Sequence, residues 1–311
     1  MANGSRHSMY LVPEASYGVT PPTAPEFGFY RHNSTTLAAV KNTLDSAELN
    51  PKRQRLGVRS GTSQAAGNVV SELSAKSFDR ILEALMMGTW TNNVLKVGST
   101  RRSFSILRIF EDMEGAAPNN KNHHLFTGME ANSLQLAVNT SSMLLATVGW
   151  VGKKVSISAT PPAGAKLGLP ETTEQMDSFT GTITEAGKAI GVITEISINL
   201  ENGIEPRYVV GSRDSIKPSS GMCNITGQIS AYFEDSYLYE KFLNEQTSNI
   251  SFELKDPAGN TYKIDLPNIK YTAGNADTSG AGSIMLVLPF TASYDPASNT
   301  TMTITRTYVG E

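Results

Sequence analysis

The sequence is poor in the residue types that most often carry chemistry. Among 311 residues there is one cysteine, Cys223. That excludes an internal disulfide framework and a cysteine-based zinc cage, and leaves a buried, inert thiol as the expected role. The four histidines are His7, His32, His123 and His124, and none stands at His-x-x-x-His or Glu-x-x-His spacing. His123 and His124 sit in a polar stretch that reads as a solvated loop tip. No Gly-x-Ser-x-Gly elbow is present, and no glycine loop runs into Gly-Lys-Ser/Thr, so neither a hydrolase nucleophile nor a phosphate loop is written here. Apolar runs stay well short of the ~20 residues a membrane helix needs. Residues 1–7 lack the apolar centre of a secretion signal, so no secretion route is expected. A formal charge of −3 gives no electrostatic reason for stable nucleic-acid binding.

The remaining polar clusters read as structural. Glu111, Asp112 and Glu114 crowd a turn without EF-hand spacing. Arg101 and Arg102, with Lys96, lie beside Gly98 and read as solubility charges on a strand edge. Trp90 and Trp150 are expected in turns between elements. No catalytic, cofactor-binding or metal-binding residue is assigned, and the chain is not expected to be an enzyme.

What the chain does have is period-2 alternation. Ile250, Phe252 and Leu254 alternate with Ser251, Glu253 and Lys255; Leu134, Leu136 and Val138 do likewise, as do Tyr262, Ile264 and Leu266. One face of each run meets a core and the other meets water or a polar partner, the pattern of antiparallel strands. Abundant Gly, Ser, Thr and Asn and turn signals such as 256–260 agree with a mostly β chain.

A pattern recurs along the chain. A glycine-led strand at 67–73 is followed by a helix at 77–85 and strands at 103–110, 125–138 and 143–148. A shorter version begins at Gly227, with a helix at 236–243 and strands at 250–254, 262–271 and 284–292. Each helix shows one apolar stripe: Phe78, Ile81, Leu82 and Leu85 in the first, Leu238, Tyr239, Phe242 and Leu243 in the second. The lead-in to each copy ends with proline followed closely by arginine, Pro51 with Arg53 and Pro206 with Arg207. Two copies of one unit are therefore expected. The expected organisation is an extended, Pro-rich arm at 1–30, a first domain at 31–156, a connector with a hairpin at 157–191 and a second domain at 192–311. Each domain is expected to be an antiparallel β-barrel or sandwich with a short flanking helix.

Several phrases resemble the tail tube proteins of tailed bacteriophages. They are Tyr17-Gly18-Val19-Thr20-Pro21, the 67–73 strand running into 78–85, Arg102 to Ile106, Phe126 to Leu134, and the phrase from Ile196 to Tyr208. The resemblance implies a structural virion protein, assembled in the host bacterial cytoplasm, whose subunits close into rings stacked as a tube for DNA delivery. Members with two tube domains form trimers that imitate sixfold rings, and the expected repeat points to that kind. The implied partners are other copies of the chain, a tape measure protein, tail terminator and tail-tip or distal tail proteins, and phage double-stranded DNA passing non-specifically; no cofactor and no membrane are implied. Another β-rich virion fibre or adhesin is the alternative, and a carbohydrate-active β-protein a more remote one, since no carboxylate pair flanking a cleft can be assigned.

Overall fold

Alternation decides most of the architecture. The computed structural model describes residues 3–310, apart from 50, 53, 56, 114, 140–142, 178–182, 191 and 279, with the backbone alone at Ala189 and Asp277. Arg53, Glu114 and the opening of the hairpin expected from Phe179 lie outside the described residues. The chain is mostly β, with two α-helices among the described residues, α1 (Asp79–Met86) and α2 (Tyr237–Leu243). Twenty strands join one sheet, and Glu205–Arg207 pairs with Ile216–Ser219 in a separate ribbon. The barrel form of the expectation is not adopted: no closed barrel forms among the described residues.

In the first half, Ala38–Asp45 pairs with Val58–Glu72, which pairs with Leu145–Gly152, then His123–Asn139, then Phe104–Phe110, all antiparallel. In the second half, Ile193–Glu201 pairs with Asn224–Tyr232, followed by Met285–Ala292, Thr261–Tyr271 and Thr247–Lys255, again all antiparallel. The two series share their order and details of register. Gly67 lies opposite Trp150 and Gly227 opposite Phe290. A bulge falls between Phe104 and Ile106 in one series and between Ser248 and Ile250 in the other.

The Pro-rich N-terminus is folded into this sheet. His7–Pro13 pairs along Phe104–Phe110 and with Glu26–Phe29. Ile183–Glu185 pairs with Thr247–Lys255 and with Lys188–Ala189, the same hairpin placement in the second series. Pro13 ends its strand, and the prolines at 21, 22 and 25 lie in the link between the two strands, where no ladder hydrogen bond is lost. Connector residues Lys166–Leu167 add parallel to Glu26–Phe29. Ala165, just before them, packs against a small apolar cluster of Val12, Phe27, Leu107 and Ile109.

The main core is continuous through both series. Helix α1 buries Ile81, Leu82 and Leu85 in it, with Phe78 buried at its N-cap. Helix α2 is less covered: Leu238 is buried, Tyr239 and Phe242 are half-buried, and Leu243 is 59% exposed. Two-turn helices are marginal alone and depend on such packing. Asp235 caps α2 by accepting from Tyr237 N at 3.0 Å. Ser74 and Ser77, just before α1, bond to each other rather than capping it.

Candidate assembly interface

The two series meet in one extended contact. The second half of His123–Asn139 pairs antiparallel with Ile193–Glu201, from Ser133 opposite Glu201 to Asn139 opposite Glu195. On the buried side, Leu134, Leu136 and Val138 meet Ile196, Ile198 and Leu200, and all six are nearly inaccessible. Burying an aliphatic side chain of this size contributes about 1.5–3 kcal/mol. Asn202 closes the end of the contact. Its Nδ2 donates to Leu85 O at 2.9 Å and Ala131 O at 3.2 Å, so one amide ties helix, first series and second series together.

Helix α1 supplies the second part of the junction. Asp79 accepts hydrogen bonds from Tyr262 Oη at 2.8 Å and Tyr308 Oη at 2.6 Å, and pairs with Arg306 at 2.5 Å. Burial raises both tyrosines well above the usual phenol range, with Asp79 adding to the shift, so both hydroxyls stay protonated and donate. The Arg306 guanidinium stacks over Trp90 at 4.5 Å, and the Trp90 indole donates to Asp79 O. Beneath these groups Leu82, Ile264, Met302 and Ile304 line a small apolar cavity with Leu73, Leu134 and Leu136. Val94–Lys96 completes the junction by pairing with Thr303–Thr307.

The residues weighed for chemistry fall elsewhere and have structural partners. His7 and His32, far apart in sequence, touch: His7 Nδ1 lies 2.7 Å from His32 Nε2. Arg108 Nε donates to His7 Nε2 at 3.1 Å, and His32 Nδ1 faces Tyr30 O at 3.2 Å. These contacts assign one tautomer to each ring, both neutral. Burial lowers His7 to about 4, with Arg108, His32 and His124 adding to it, and burial also lowers His32, His123 and His124. His123 and His124 are not at a solvated tip; they open the His123–Asn139 strand and pair with Ile109 and Arg108. Nor are Arg101 and Arg102 solubility charges. Arg101 donates twice to Glu130, which is 2% exposed, and once to Pro218 O. Arg102 donates to Gly88 O and Glu83 O at the C-terminal end of α1. Trp150 is buried within a strand, its indole donating to Tyr30 Oη, whereas Trp90 does lie in a turn. Asp112 accepts from Asn3 N.

Burial raises the Cys223 thiol to about 11, which keeps it protonated at neutral pH. Among the described residues no group of three His, Cys, Asp or Glu side chains is placed to hold a metal ion. No helix among them is long and apolar enough to cross a membrane.

Sequence reading missed Glu14, a four-donor carboxylate. Ser103 Oγ, Ser105 Oγ, Gly18 N and Gly128 N all donate to it. Gly18, at φ +74°, belongs to the Tyr-Gly-Val-Thr-Pro phrase singled out above, so that phrase marks a turn held against the sheet.

A family model described as phage tail tube protein matches residues 4–292 of the chain. No curated protein matches it.

Proposed function

Since the chain belongs to the phage tail tube protein family, we propose that it is the tail tube subunit itself, closing into rings that stack into the tube. A structural, virion role follows from the family; ring size, stacking and DNA passage are our reading. The observation that supports it most is the recurrence of one strand order, with the same bulge, in the two series. We take each series, with its own hairpin, as one tube unit, the first spanning residues 7–158 and the second 183–307. Three chains then present six similar units, a trimer with pseudo-sixfold symmetry. Exposed strand edges are a liability in a monomer, and a heterologous contact that closes on itself satisfies them in a finite ring.

In this reading the loop at 111–124 and the connector at 157–191 touch neighbouring rings, together with the N-terminal segment. Tape measure, terminator and tail-tip proteins meet the tube, and double-stranded DNA passes through the lumen without specific binding, consistent with a net charge of −3. Assembly takes place in the bacterial cytoplasm. Negative-stain electron microscopy of the purified protein at rising concentration tests the role. Hollow rings or tubes are expected; solid fibres or compact dimers would contradict it.

A further inference from the structure

We propose that the contact joining the two series within a chain is made a second time between chains. Residues 35–40 of one copy add antiparallel to residues 273–278 of the next, and Leu243 of that next copy and Ile157 of the first are buried where the two copies meet. The proposal rests on the ring reading above and supplies its contact surface.

The register of the two series fixes which residues correspond. Val70 pairs with Ser34 and Ser230 with Glu195, while Ala66 pairs with Ala38 and Thr226 with Asn199. Hence Thr35, Leu37 and Ala39 stand where Ile196, Ile198 and Leu200 stand in the second series. On the opposing strand, Ala131 opposite Trp150 and Ala137 opposite Leu145 become Tyr271 opposite Phe290 and Asp277 opposite Met285. Residues 273–278 are thus the counterpart of 133–138, the stretch that receives Ile193–Glu201 inside the chain. Carried over, Ser133 opposite Glu201 becomes Ala273 opposite Val40, and Leu136 opposite Ile198 becomes Ala276 opposite Leu37.

Exposure marks the same surface independently. Leu85 and Ile304 are both buried in the shared core, at 0% and 1% exposed. The helix ends align Leu85 with Leu243: Met87 and Glu245 follow at φ +47° and +51°, and Gly88 N and Gln246 N donate to Glu83 O and Lys241 O. Ile304 faces Ile264 as Ile157 faces His124. Those counterparts, Leu243 and Ile157, are 59% and 53% exposed. Ala38–Asp45 is exposed along its whole length, Val40 and Leu44 included, and among the described residues its only strand partner is Val58–Glu72.

The sheet is therefore continuous through the junction, and its two ends carry the two separated halves of that same junction. A second copy of this chain is the occupant that already holds both halves in matching register.

Cysteine pairing tests the register. Chains carrying Val40→Cys are mixed with chains carrying Ala273→Cys and oxidised mildly, with the unsubstituted chain as the control for Cys223. Covalent dimers are expected from the mixture and from neither chain alone. Both positions are exposed, so folding should be preserved. Leu243→Asp should abolish assembly while leaving the thermal midpoint of the unassembled chain unchanged. Rings without the Val40–Ala273 bond, or a bond formed only with Thr272→Cys, would overturn the contact and leave the ring reading standing. Rings that persist with Leu243→Asp would overturn the Leu243 contact. Neither rings nor bond would remove both.

Discussion

At the residue scale, the clearest constraint is the pair of glycines that lead the two long strands. Gly67 and Gly227 each lie opposite a buried aromatic, Trp150 and Phe290, with the lead-in strand pressed against the other side. A Cβ on Gly227 would collide with the Phe290 ring and with Ser197 O. We expect Gly227→Ala to cost about 1–3 kcal/mol in urea unfolding, the usual penalty of overpacking. The His7–His32–Arg108 chain makes a second prediction. Because His7 has its folded value depressed from 6.5 to about 4, the fold favours the neutral ring. Its contribution is present above the unfolded value and is lost as the pH falls from about 6.5 through about 4. A thermal midpoint that drops over that window is expected, and the drop should be shallower in His7→Gln. An unchanged slope in the variant would show that His7 is not responsible.

At the element scale, strands with one buried face were legible and those without were not. Thr247–Lys255 and Thr261–Tyr271 alternate visibly because one face is core. Val58–Gln64 carries little alternation, being exposed or half-buried, although it pairs with Ala38–Asp45 across a bulge. Trp150 reads as a turn because Gly149 and Gly152 flank it. Those glycines are there because Ser133 and Met129 crowd them across the sheet. Arg101 was illegible as a core residue because its partner, Glu130, is buried in a strand with an apolar neighbourhood. Burial raises Glu130 above the usual carboxylate range and Arg101 opposes that shift. Arg101→Ala, which leaves Glu130 buried without its cation, should destabilise the fold by about 3–5 kcal/mol. The double variant with Glu130→Met should recover most of the loss in the same unfolding measurement. Failure to recover would show that packing around Arg101 matters more than the charge.

At the scale of the whole molecule, the order of elements was readable and the junction was not. Spacing from glycine strand to helix leucine, 15 positions from Gly67 to Leu82 and 16 from Gly227 to Leu243, pointed to a recurrence, although the helix ends pair Leu243 with Leu85. The hairpin that opens the first series was hidden, because prolines between His7–Pro13 and Glu26–Phe29 gave it the look of an irregular arm. The junction depends on contacts far apart in sequence, such as Asp79 with Arg306 and Asn202 with Leu85, which no local pattern announces. The central claim is that two such series in one chain stand in for two subunits of a ring. Symmetry analysis of end-on electron micrographs of assembled protein, with the mass per ring, tests it most directly. Three chains per ring, seen as six similar lobes around a hollow centre, is the predicted result; six whole chains per ring would contradict it.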